Sequence, residues 1–432
     1  MFFTRSVFVS IRNGLVIAVA AIGILAVGWA SPAAAQGAGC TGGGRISKQV
    51  AKQMSAAQDA LKAKKWQDTL AKTREAEVAP GSKSQFDLFM MSEFRGYAYT
   101  NLKEYPEAAR ELEAGLNSPC MPEAKKLERY KGLAAIYSSL RNYPKVIDYG
   151  NRALKVTRDP EMQVQVAQAY FQSGNNKDAA RVMNELLEQK TGVPKEQQLL
   201  LVLAACQRAN DNACVSKVYE KLVVNYPKTE YWQNLMDALR KGDTDDIQKL
   251  NVMRLAVHVN VMKHAEEYKE MAQLTLDEKL SCEAQTVLEQ GFSKKAFTEQ
   301  RDIDVNTRLL TKAKTSCAAE KAVVGETQAM ARAAPTGNGF VKLGAQYLGF
   351  GDPSKAADAL QQGISKGGIG KCDPKDPNCL PKKEPERVDE AGLLLGIAHL
   401  RNNNKVEAKK AFNSVKQDPT MVRIAKLWLL NT

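Results

Sequence analysis

The sequence predicts an all-α fold, an α-solenoid of antiparallel helix pairs, on three observations. Ala, Leu, Lys, Glu and Gln dominate its 432 residues, and these are strong helix formers. Alternating β-branched stretches are nearly absent. One pattern recurs along the chain: a small residue, an aromatic three later, a small residue nine after that and an apolar residue four further on. It reads Gly96, Tyr99, Ala108, Leu112, then Ala167, Tyr170, Ala179, Met183, then Gly344, Tyr347, Ala356, Leu360, and finally Gly396, His399, Ala408, Phe412. Weaker copies start at Ala134, Leu203 and Ala272. Self-similarity at such a period is the mark of stacked helical hairpins.

Residues 1–35 precede this array. Arg5 and Arg12 give a positive start, Leu15 to Trp29 is uncharged and apolar, and Ala33-Ala34-Ala35 supplies small residues before Gln36. That order reads as a secretory signal peptide cleaved after Ala35. The alternatives are an uncleaved anchor, although the run is at the short end for a hydrocarbon core of about 30 Å, and a lipoprotein, because Gly37-Ala38-Gly39-Cys40 ends in a cysteine. Residues 36–45 are a Gly-rich linker, residues 46–240 a first solenoid and residues 241–432 a second. The boundary is set near Lys241-Gly242-Asp243, where the spacing falters.

Ile46 to Ala79, with its turn at Lys64-Lys65-Trp66, reads as an atypical first pair. Polar turns follow within each later unit, and Pro106, Pro144 and Pro353 stand where second helices begin, a position where the missing N–H is not needed. Val305 to Ala334 reads as a helix pair lacking the pattern. The step from Gly344 to Gly396 is 52 residues, which marks an inserted loop at 367–385, rich in Pro, Gly, Asp and Asn. The apolar segment 421–430, with Trp428, reads as a capping helix, since a solenoid end otherwise exposes its apolar face. A docking helix for a partner is the other reading.

Eight cysteines in an exported chain read as disulfides. Cys372 and Cys379 bracket the inserted loop, Cys206 and Cys214 flank one turn, and Cys282 and Cys317 lie one repeat apart. Cys40 and Cys120 pair by elimination. No CxxC occurs and no His lies near a cysteine pair, so no metal site and no cofactor is expected. The three histidines, His258, His264 and His399, form no HExxH, and no GxSxG, Walker A loop or GxGxxG is present. Glu266 and Glu267 sit on a Lys-rich helix and read as solvated. The chain is therefore expected to be no enzyme.

The net charge of +13 becomes +11 once Arg5 and Arg12 are removed. In an exported protein this points to acidic proteins, anionic lipid headgroups or acidic polysaccharide rather than nucleic acid, or simply to Lys-rich solvated faces. No later apolar run reaches membrane-spanning length. The absence of any Asn-x-Ser/Thr acceptor suits a bacterial source.

Over most of Ile46 to Leu430 the chain resembles tetratricopeptide-repeat (TPR) proteins, whose unit is a helix pair with a small residue within the first helix, an aromatic three later and a second small residue near the start of the second helix. The resemblance implies a concave face lined by first helices: Glu93, Tyr97 and Asn101, then Lys131 and Ser138, then Gln168, Phe171 and Gln172, then Gln207 and Arg208, then Lys269 and Gln273, then Val341 and Leu348, with Leu393 and Arg401 in the last. It also disfavours a carboxylate clamp, because Glu93 and Tyr97, then Lys131 and Ala135, occupy the places of the clamp's Lys and Asn. The implied function is a non-enzymatic periplasmic or secreted scaffold that binds an envelope protein through a peptide or extended segment. An acidic-polymer adaptor is the rival.

Overall fold

The protein is described by a computed structural model covering residues 40–432 except 42, 190–191, 243 and 372–383. The segment read as a signal peptide and the Cys372–Cys379 loop lie outside the described residues. Those described form 21 α-helices and no strand, in two compact units that meet between Asn210 and Asp211. The boundary expected near Lys241 falls inside the second unit, between two of its helices.

The first unit contains α1 (Ala51–Lys62), α2 (Trp66–Val78), α3 (Gln85–Leu102), α4 (Tyr105–Leu116), α5 (Glu123–Ser139), α6 (Tyr143–Val156), α7 (Pro160–Gln172), α8 (Asn176–Gln189) and α9 (Glu196–Arg208). Each packs on its neighbours in sequence, as a stacked array requires. The repeat turns follow one recipe. The carbonyl of the consensus aromatic accepts a hydrogen bond from the backbone N–H five residues on, as in Glu104 to Tyr99 (2.9 Å), Asn142 to Tyr137 (2.9 Å) and Asn175 to Tyr170 (2.9 Å). One residue in each turn takes the left-handed conformation: Lys103, Arg141 and Gly174, with φ of 62°, 54° and 85°. These are C-terminal helix caps. Pro106 and Pro144 fall at the first turns of α4 and α6.

The small consensus residue has a definite partner. A Cβ on Gly96 would come within 2.6 Å of Leu112 Cδ2, one on Gly344 within 2.4 Å of Leu360 Cγ, and one on Gly396 within 2.4 Å of Phe412 Cε1. The pair is sixteen residues apart each time, so the apolar residue of the second helix sits directly on the glycine of the first. The sequence pairs each glycine with the second small residue, Ala108 in the first of these units. The observed contact shows that the apolar residue sets the requirement for glycine.

The second unit contains α10 (Asn212–Asn225), α11 (Thr229–Arg240), α12 (Asp246–His258), α13 (Ala265–Asp277), α14 (Ser281–Ser293), α15 (Gln300–Ala322), α16 (Val324–Ala333), α17 (Asn338–Phe350), α18 (Pro353–Lys366), α19 (Glu384–Arg401), α20 (Lys405–Ser414) and α21 (Pro419–Leu429). Here the helix pair expected over 305–334 is not formed. Only Val323 separates α15 from α16, which hardly touch, and α15 packs on α14 instead. The unit also departs from an open array, because α12 packs on α19 and α21, and α14 on α17. Helix α21, read from sequence as a cap, packs on α12 as well as α19 and α20, and its Trp428 is only 2% exposed.

Two disulfides have the expected partners. Cys40 joins Cys120 with Cα atoms 4.9 Å apart, and Cys282 joins Cys317 at 4.6 Å. Cys206 and Cys214 are each disulfide-bonded too.

Candidate functional site

The residues expected to line a binding face fall into two groups. Glu93 and Phe171 are corrections, because both are buried. Glu93 forms an ion pair with Arg129 of the next first helix, and Gly115 leaves it room, since a Cβ there would lie 2.5 Å from Glu93 Oε1. Phe171 carries the Arg208 guanidinium 4.0 Å from its ring centroid. Counting from the small residue misses both, since each burial is set by a residue some 36 positions on.

Val341, Leu348 and Leu393 are buried as well, and the others stay at or near the surface. Tyr97 is half-buried and packs edge-on against Trp66, with centroids 5.7 Å apart. Asn101 is exposed and donates to the Tyr97 carbonyl. Half-buried Lys131 lies 2.5 Å from Asp159, which caps α7. Gln168 is half-buried, and Gln207 and Arg208 are exposed. In the second unit, half-buried Lys269 pairs with Glu266 at 3.8 Å, and exposed Gln273 donates to Asp277.

The second unit contains a polar constellation that sequence reasoning missed. Helix α12 brings Gln248, Asn251 and Arg254 to one buried face. Arg254 donates Nε and Nη2 to the two oxygens of Glu283, both at 2.9 Å, and Nη1 to Asn251 and Glu390 at 3.0 and 3.1 Å. Arg387 bridges Glu390 and Glu278. Gln248 donates to both oxygens of Asp418, the N-cap of α21. Burial opposes the Arg254 charge, yet Glu283 and Glu390 outweigh it and hold the guanidinium above its usual value. Burial likewise pushes Glu283 up, but the charge and hydrogen bonds of Arg254, then the Arg401 charge, bring it below the usual carboxylate range. A signal was present in the sequence. Arg254 interrupts the apolar stretch from Leu250 to Val257, and Glu390 abuts the run Ala391 to Ala398. Charges so placed are rarely buried unless paired.

Beside this cluster lies a cavity of about 80 Å³ between α12, α13, α14, α17, α19 and α21. Its charged walls are Arg254, Glu283 and Arg401, the last donating to the Leu348 carbonyl at 3.2 Å, and Thr286 and Gln290 add uncharged polar groups. Leu348, expected on a concave face, is buried, and it lines this cavity together with Arg401. Arg401 is exposed to solvent as a residue, and the partial desolvation of its guanidinium lowers its pKa, with Glu283 opposing and Arg254 adding to the effect. Among the described residues no cluster of His, Cys, Asp and Glu is placed to hold a metal, and no helix is long and apolar enough to cross a membrane.

No family model matches the chain, and no curated protein matches it. Among solved structures it is similar to a tetratricopeptide repeat protein from Parabacteroides merdae, at 12% identity over 62% of this chain and 100% of that one, TM-score 0.30. It is similar also to the TPR2AB domain of yeast Sti1 in complex with pHSP90, at 16% identity over 61% and 98%, TM-score 0.31. A third is the Cut9–Hcn1 hetero-tetramer of APC/C, at 12% identity over 88% and 80%, TM-score 0.24. In the chain itself the consensus glycine, aromatic and apolar residues each make the same contact or turn from repeat to repeat. By the packing of its own helix pairs the described chain is an α-helical repeat protein built of antiparallel helix hairpins.

Proposed function

We propose that the protein is a non-enzymatic scaffold of the bacterial periplasm or cell envelope that holds a partner protein through an extended segment of that partner. The observation that carries this reading is the surface of the first unit. Four successive first helices, α3, α5, α7 and α9, each keep a polar or aromatic residue at the surface: Tyr97 and Asn101, Lys131, Gln168, and Gln207 with Arg208. Such a ladder suits an extended segment recognised at regular steps. The disulfides suit an oxidising compartment, and the leader-like residues 1–35 suit export.

The test places a photo-crosslinking amino acid at Tyr97 or Gln168, and, as a control, at Arg152 or Lys177 on second helices, in cells. One envelope protein captured from the first-helix positions and not from the controls is the expected result. Equal capture from all four, or recovery of polysaccharide alone, contradicts the proposal. Raising the salt separates the acidic-polymer rival, because capture by charge alone is screened away.

A further inference from the structure

The cavity of the second unit has an unequal balance of donors and acceptors. The two carboxylate oxygens of Glu283 both accept from Arg254, whose remaining contacts go to Asn251 and Glu390. Those charges are already engaged. Arg401 is different: it is exposed to solvent at the end of α19 while also lining the cavity. Among the described residues it makes one hydrogen bond, to the Leu348 carbonyl, with no carboxylate at ion-pair distance. Trp428 also lines the cavity, and although it is buried its Nε1–H has no acceptor among the described residues. A buried indole N–H ordinarily finds a partner. Thr286, which donates to the Cys282 carbonyl, and Gln290 also line the cavity, and the rest of the wall is largely apolar, with Val257, Val287, Leu394 and Ile397. At about 80 Å³ the space exceeds what a single water needs, about 10–15 Å³.

We propose that this cavity binds a small aliphatic carboxylate, its head group on the Arg401 guanidinium and the Trp428 Nε1–H and its alkyl chain against Val257, Val287, Leu394 and Ile397. A guanidinium fork matches a carboxylate in plane and spacing. One cation without a carboxylate partner suits a monoanion better than a phosphate, and the apolar wall rewards an alkyl body over a purely ionic ligand. The Glu283 carboxylate does not repel such a ligand strongly, because Arg254 neutralises it through two bonds of 2.9 Å. The site arises from the closure of α12, α19 and α21 and is independent of the partner-binding reading of the first unit.

Calorimetric titration of the purified chain with hexanoate, 1-hexanol, hexylamine and a free-acid dipeptide of apolar residues tests the proposal. Saturable one-to-one binding of hexanoate is expected, with hexanol and hexylamine weaker by roughly tenfold or more, the worth of one charge-assisted hydrogen bond. Arg401→Gln is expected to weaken hexanoate by a similar factor and leave hexanol unchanged, with the helical circular dichroism intact. Where that variant fails to fold, Trp428→Phe replaces it, with the same expected loss for hexanoate. Hexanol binding as tightly as hexanoate, undiminished hexanoate binding in the folded variants, absence of saturable binding, or preference for the dipeptide overturns the proposal.

Discussion

Phe171 shows how a single residue changes roles between sequence and structure. Position alone places it on a binding face. Its ring is 3% exposed and lies under the Arg208 guanidinium, so it belongs to the packing between α7 and α9. Phe171→Ala should destabilise the protein by about 3–5 kcal/mol, the usual cost of emptying a buried aromatic site, which denaturant titration will read as a lower midpoint. A midpoint within error of the parent contradicts the burial. Tyr97, half-exposed beside Trp66, is the aromatic whose replacement probes binding. The consensus positions were legible because Gly, aromatic and Ala recur at fixed spacing. The burial of Glu93 and Phe171 was not, because Arg129 and Arg208 come from the next repeat and local periodicity carries no record of them.

At the scale of elements, the glycine-to-apolar contact fixes how closely the two helices of a pair approach. Gly96 sits in α3, where glycine is intrinsically unfavourable by about 0.5–1 kcal/mol, yet a Cβ there would meet the core residue Leu112. Overpacking costs about 1–3 kcal/mol, so Gly96→Ala should lose about 1–2 kcal/mol net despite its better helix propensity. A thermal melt checks this, and a gain in stability contradicts the close approach. Helix pairs were legible wherever such a glycine or alanine, an aromatic and a polar turn coincide. The region from Gln300 to Ala333 has small residues but no aromatic to mark the register, so local pattern carries no record of which helix α15 joins. Its pairing with α14 is tied by Cys282–Cys317, a bond anticipated from spacing although the surrounding helix pair was not.

At the scale of the whole molecule, the two units use one repeat chemistry with different outcomes. The first is a nearest-neighbour array, closed at its start by Cys40–Cys120. The second brings α12 against α19 and α21 through a charged cluster whose members lie up to 170 residues apart. Helix content and repeat number follow from local pattern, but this closure depends on pairings at long sequence separation that no periodicity encodes. It also creates the cavity, so the ligand proposal stands or falls with it. A double-mutant cycle on Arg254 and Glu390, residues 136 apart, measures the closure directly. Arg254→Met and Glu390→Gln should each cost about 3–5 kcal/mol, since each strands buried charge, and the double variant should cost less than their sum by about 1–3 kcal/mol. Costs that add to within about 0.5 kcal/mol would contradict the contact, and with it the closed second unit.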